Sequence, residues 1–159
     1  MFSAEDESAM GKNERVWLGL GYAGLLPFIL STLMVWLGWQ LPWFSAHFAF
    51  ISYSAIILSF ISGTLWGRAL ALSTSGTIGR LLILSNLYSI LAWVALLLNQ
   101  EVISLAILSV GYLSLLAVEK KSQALCLNDD YLSMRHRLTL VAVSMHLLML
   151  IHQLFGGLQ

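Results

Sequence analysis

The stretch Phe44–Gly67, FSAHFAFISYSAIILSFISGTLWG, contains no Asp, Glu, Lys or Arg and decides the fold class. A membrane-crossing helix needs about 20 mainly apolar residues, because each advances about 1.5 Å and hydrocarbon offers no water to satisfy the backbone. This stretch is long enough and apolar enough to cross as a helix, which closes its backbone hydrogen bonds within itself.

Working outward, four further runs meet the same requirement: Val16–Trp39, Gly79–Leu98, Val102–Val118 and Leu138–Phe155. The fourth in chain order is the shortest, and it spans if the bilayer thins locally or if Glu119 and Lys120 snorkel to the headgroups. The expected architecture is an all-α polytopic membrane protein, a bundle of five transmembrane helices over residues 16–159. Residues 1–15 read as a disordered acidic tail: they hold Glu5, Asp6, Glu7 and Glu14 against Lys12 and Arg15 and lack the apolar core of a secretory signal. Composition agrees, with 58% hydrophobic and 10% charged residues, far from the roughly 45–50% and 25% of soluble domains.

The formal net charge of +0 hides a segregated pattern. Lys12 and Arg15 precede the first span, Arg68 and Arg80 bracket the loop between the second and third, and Lys120, Lys121, Arg135 and Arg137 lie between the fourth and fifth. The opposite loops, Gln40–Trp43 and Asn99–Glu101, have no Lys or Arg. Cytoplasmic loops collect basic residues, so the N terminus is expected in the cytoplasm and the C terminus in the periplasm, in a bacterial inner membrane. Trp36, Trp39 and Trp43 near the outer turn, and Trp17 and Trp66 near the inner face, fit an interfacial aromatic belt.

Helices in lipid associate through close packing at small residues. Ala55, Ser59, Gly63 and Gly67 recur every four residues in the second span and predict a packing stripe closed by Trp66, with this helix central in the bundle. Substituting Gly63 by Leu is then expected to disturb folding. Pro27 lacks an N–H and clashes with the carbonyl of Ala23, which predicts a kink in the first span.

Intramembrane ionisable groups mark ion pathways and proton relays, and no Asp, Glu, Lys or Arg lies near the middle of a span. His146 is the deep titratable group, readable as a hydrogen-bonded packing residue or as a relay. His152 follows six positions later on a different helix face, so an outer metal site would need His47 and His152 to converge. Cys126, the single cysteine, excludes an internal disulfide and a paired-cysteine zinc site. No phosphate loop, zinc-protease helix, serine elbow or redox cysteine pair is present, and no basic recognition surface suggests nucleic acid. No catalytic residue, metal or cofactor is expected. The polar candidates gather at the inner face: Arg68, Asp129, Asp130, Tyr131, Arg135 and Arg137, with Asn128 or Asp129 able to cap a short interfacial helix. Anchoring to anionic lipid would explain these arginines; docking of a partner would use the same groups.

Several segments together resemble a known family: GLLPF (Gly24–Phe28), YSAIILSFISGTLWG (Tyr53–Gly67), LAW (Leu91–Trp93) and DDYLSMRHRLT (Asp129–Thr139). They are similar to an integral membrane family, domain of unknown function thirty-four twenty-nine, with bacterial inner-membrane and animal mitochondrial members. That family more often has Gly where this chain has Ser54 and Ser62. The resemblance implies architecture rather than a reaction, and a place in an energy-transducing membrane. It singles out Pro27, Tyr53, Ser59, Gly63, Trp66, Gly67, Asp129, Tyr131 and Arg135.

Two functions follow as expectations. One is a non-catalytic protein that assists or associates with other membrane components, as a partner or a homo-oligomer. The other is a small channel or carrier lined by the second span's serines and His146. An enzyme acting on lipid is a third option without an evident nucleophile and base.

Overall fold

A computed structural model describes residues 16, 18–39, 42–43, 45–71, 78–98, 100–121 and 129–156. Among these residues, five helices are long and apolar enough to cross a membrane: α1 (Leu18–Trp36), α2 (Ala46–Ala71), α3 (Ile78–Leu97), α4 (Glu101–Lys121) and α5 (Asp129–Phe155). Successive helices pack side by side, α5 returns to touch α1, and α2 crosses the middle to meet α4. The acidic tail, Cys126, Asn128 and the side chains of Trp17 and Asp129 lie outside the described residues.

Every helix is apolar on nearly all faces, so hydrophobicity alone does not select an inner side. The buried positions nonetheless keep a strict rhythm. On α2 they include Ile51, Ala55, Leu58, Ser62, Leu65 and Ala69; on α3, Leu81, Ser85, Tyr88, Ala92 and Ala95. On α4 the series is Leu105, Leu108, Tyr112, Leu115 and Glu119; on α5, Arg135, Thr139, Ala142, His146 and Met149. Steps of three and four alternate, which is the heptad seam of left-handed helix packing. Small and polar residues occupy this seam, while Ile56, Phe60, Leu87 and Trp93 face outward.

Two expectations change here. The stripe of small residues on α2 does not lie in the seam throughout: Ala55 is buried and Ser59 half-buried, but Gly63, Trp66 and Gly67 are exposed. A Cβ built on Gly63 or Gly67 meets nothing within 4 Å. A repeat of four overshoots an α-helix's 3.6-residue turn, by about 40° at each step, so a four-step ladder drifts around the helix and out of the interface. The close approach falls at Gly111 of α4 instead, where a Cβ would come within 2.7 Å of the fully buried Leu58 on α2. Helix α2 is central as expected, touching α1, α3 and α4.

The second change concerns α5, which begins at Asp129 rather than near Leu138. Residues 129–137 form its first turns instead of a loop or a separate short helix. Acidic residues at the helix start favour this conformation, and burial of Arg135 holds these turns against α4. The fourth helix likewise extends to Lys121 and, with Glu119 only 3% exposed, does not rely on that residue snorkelling.

The predicted break in α1 is present. A turn at Gly24 and Leu25 separates the inner part from the regular segment Leu26–Trp36, with Pro27 in its first turn. Pro27 cannot donate to Ala23, and the Gly24 carbonyl at the turn accepts a hydrogen bond from the Tyr53 hydroxyl of α2 at 2.8 Å.

Thermal unfolding in mild detergent distinguishes the two glycine environments. Gly111→Leu should destabilise by about 1–3 kcal/mol through overpacking. Gly63→Ala should be neutral or stabilising by up to about 1 kcal/mol, from helix propensity alone.

Candidate functional site

Polar side chains concentrate at three levels of the bundle. At the end carrying the basic residues, Arg135 of α5 donates from Nε at 3.2 Å and from Nη2 at 3.0 Å to Glu119 Oε2 of α4. Both side chains are almost fully buried. Their charges attract strongly in a low dielectric, but desolvation offsets most of that gain, so the pair's main effect is to fix α4 against α5. Beside it, the Arg68 guanidinium lies 5.3 Å from the centre of the Tyr131 ring, close enough for cation–π attraction. Lys120 Nζ lies 3.2 Å from His136 Nδ1. The fold therefore brings Arg68, Tyr131 and Arg135 together; Asp130 and Arg137 are exposed at the same end.

Mid-bundle, His146 is fully buried. Its Nδ1 is 2.7 Å from the Ala142 carbonyl, and its Nε2 is 2.7 Å from Ser54 Oγ. A carbonyl can only accept, so Nδ1 carries hydrogen, and in the neutral ring Nε2 accepts from Ser54. The Ser54 carbonyl in turn accepts from Tyr112 at 2.9 Å. The rings of Phe28, Phe50 and Tyr112 surround the imidazole at centroid distances of 5.8, 4.8 and 5.6 Å. His146 thus ties α5 to α2, and Tyr112 ties α4 to the same residue of α2.

The remaining α2 serine of the core is also used for packing. Ser62 Oγ is 3.0 Å from Ser89 Oγ, and Ser85 donates to the Ser62 carbonyl at 2.8 Å. These bonds stitch α2 to α3 through small side chains that allow close approach.

At the opposite end, His47 and His152 do converge, with ring centroids 5.8 Å apart. Glu101 Oε2 lies 4.0 Å from His47 Nε2, and Trp36 packs edge-on against His152. No group of three potential metal ligands occurs among the described residues.

Sequence reasoning located the basic cluster and His146 but not their partners. Ser54, Tyr112 and Glu119 have ordinary membrane-helix identities, and no local spacing links them to α5. The alternating three-and-four rhythm through Tyr112, Leu115 and Glu119 was the one available signal.

Five apolar helices held by interhelical hydrogen bonds and a buried ion pair define a multi-pass α-helical membrane protein. The family model described as "Protein of unknown function (DUF3429)" matches residues 13–151, and the chain belongs to that family. It is 36% identical over 93 residues to a protein named Transmembrane protein 69 from Xenopus tropicalis. That match covers 57% of this chain and 36% of the relative, so the chain spans well under half of the relative's length. No solved structure matches.

Arg135→Ala leaves a buried carboxylate without its partner and should destabilise by about 3–5 kcal/mol. The double substitution Glu119→Leu with Arg135→Leu should be markedly milder than that single change. Thermal unfolding of the three purified proteins in one detergent measures both differences.

Proposed function

We propose that this chain is a non-catalytic protein of a bacterial inner membrane, with its N terminus in the cytoplasm, that assists or associates with other membrane components through its basic end. The observation that carries the reading is the buried Glu119–Arg135 pair, which braces α4 against α5 at the same end as the exposed Arg137, Asp130 and Lys121. Charged groups on braced helices make a surface of fixed geometry, which recognition of a partner requires more than lipid anchoring does. The one-sided distribution of Lys and Arg supports the orientation.

The channel or carrier reading has less support. Ser54, Ser62 and His146 bond across helix interfaces, and side chains so paired act as packing groups rather than as the wall of a water-filled path.

The test is purification from native membranes with chemical crosslinking and mass spectrometry, comparing the wild type with Arg137→Glu. Arg137 is the residue to change because it is exposed, whereas loss of Arg135 would disturb the fold itself. A stoichiometric partner should accompany the wild type and be lost in the variant at unchanged thermal stability. Isolation of the chain alone, together with vesicle uptake abolished by His146→Leu, would instead establish the carrier reading.

A further inference from the structure

Between α1, α2 and α5, in the half of the bundle toward the basic end, lies a cavity of about 370 Å³. Its walls are almost entirely apolar, formed by Phe28, Ile57, Ile61, Met134 and Leu138. Along α5 it extends from Tyr131 to Ala142, about 17 Å at the rise of a helix. Leu20 and Phe60 also line it and are 70% and 73% exposed, so the cavity opens sideways, toward the hydrocarbon of a surrounding bilayer. Gly21 of α1 lies directly against Met134 and Leu138 and adds no side chain to fill the space.

One wall group differs from the other buried hydroxyls: among the described residues the buried side-chain atoms without a hydrogen-bond partner are this one and ring nitrogens of His47 and His152 at the opposite end. Thr139 is 2% exposed, lines the cavity, and its hydroxyl has no hydrogen-bond partner. Other hydroxyls in the bundle find a partner, either a carbonyl of their own helix, as Thr32 does in Phe28 and Thr64 in Ile61, or a group on a neighbouring helix, as Ser54 does in His146 and Ser85 in Ser62. A buried hydroxyl in hydrocarbon surroundings is costly to leave unmade, and its one donor hydrogen suits an acceptor oxygen. One turn away, Arg135 also lines the cavity, and its pair with Glu119 uses Nε and Nη2. Because Glu119 already balances the guanidinium charge, a further net charge entering this apolar space would be desolvated without compensation.

We propose that this cavity binds a single-chain membrane amphiphile whose head is an uncharged carbonyl oxygen acceptor. The molecule enters laterally between Leu20 and Phe60. Its carbonyl accepts from Thr139 beside Arg135, and its chain lies along Phe28, Ile57 and Ile61. The proposal is independent of the partner reading above, because it rests on the cavity and not on the exposed basic end. A prenylquinone and a monoacylglycerol carry this chemistry from two different sources.

The test is made on the delipidated full chain in detergent, adding a short-tail prenylquinone, a monoacylglycerol or, as an anionic control, a lysophosphatidylglycerol. Thermal stabilisation and native mass spectrometry read the binding. At least one neutral carbonyl probe should bind the wild type in preference to the anionic one, and which of the two does so identifies the source. Thr139→Val should weaken that binding about tenfold, the size expected for one buried hydrogen bond. Without probe, the same variant should be at least as stable as the wild type, since it removes an unpaired hydroxyl. Leu138→Trp, which narrows the cavity from a half-buried wall position, should fold and bind the probe more weakly than the wild type. Equal binding by wild type and Thr139→Val, undiminished binding by folded Leu138→Trp, preference for the anionic probe, or no binding of any probe would each overturn the proposal.

Discussion

Hydrocarbon supplies no hydrogen bonds, and the arrangement of this bundle follows from that constraint. Most polar groups that enter the interior are met by other parts of the chain. The Gly24 carbonyl, at the turn where the first helix is interrupted before Pro27, is met by Tyr53. Ser54 is met twice, by His146 through its hydroxyl and by Tyr112 through its carbonyl. Each of these bonds joins two different helices, so satisfying the polar groups and fixing the helix positions are the same event. With lipid tails as apolar as the helices, such bonds and close packing replace the hydrophobic effect as the source of association.

The geometry of packing explains why α2 is central. Its seam alternates small residues with leucines, Ala55, Leu58, Ser62, Leu65 and Ala69, and so admits α3 closely while Leu58 reaches Gly111 of α4. The outward positions of Gly63 and Gly67 leave a shallow strip on the lipid-facing side. The core is therefore richer in hydroxyls than the surface, and the surface richer in large apolar side chains, the reverse of a water-soluble bundle.

The two ends of the molecule differ in kind. One carries a buried ion pair, a cation–π contact and exposed charges, adjoining an apolar cavity. The other gathers His47, His152 and Glu101, with Trp36 packed against His152. The basic end has both a fixed charged surface and a chamber opening sideways, and these are the features on which the functional readings rest. Membership of a family of unknown function assigns no reaction and leaves chemistry to these groups.

The sequence by itself determined the number of spans, their approximate limits, the segregation of charge and the kink at Pro27. All of these are one-dimensional: run length, composition and the missing N–H of proline act locally, whatever the neighbours are. It misjudged the start of α5, because Arg135 and its flanking polar residues look like a loop until Glu119 is seen to bury the arginine. It also placed Gly63, Trp66 and Gly67 inside, because a repeat of four looks continuous in a list but rotates away on a helix. Only the tertiary structure decided that His146 meets Ser54, that Thr139 faces a cavity without a partner, and that His47 approaches His152. When all faces of a helix are apolar, the sequence holds no contrast from which to read an inner side, and contacts between distant residues appear only once the helices are packed.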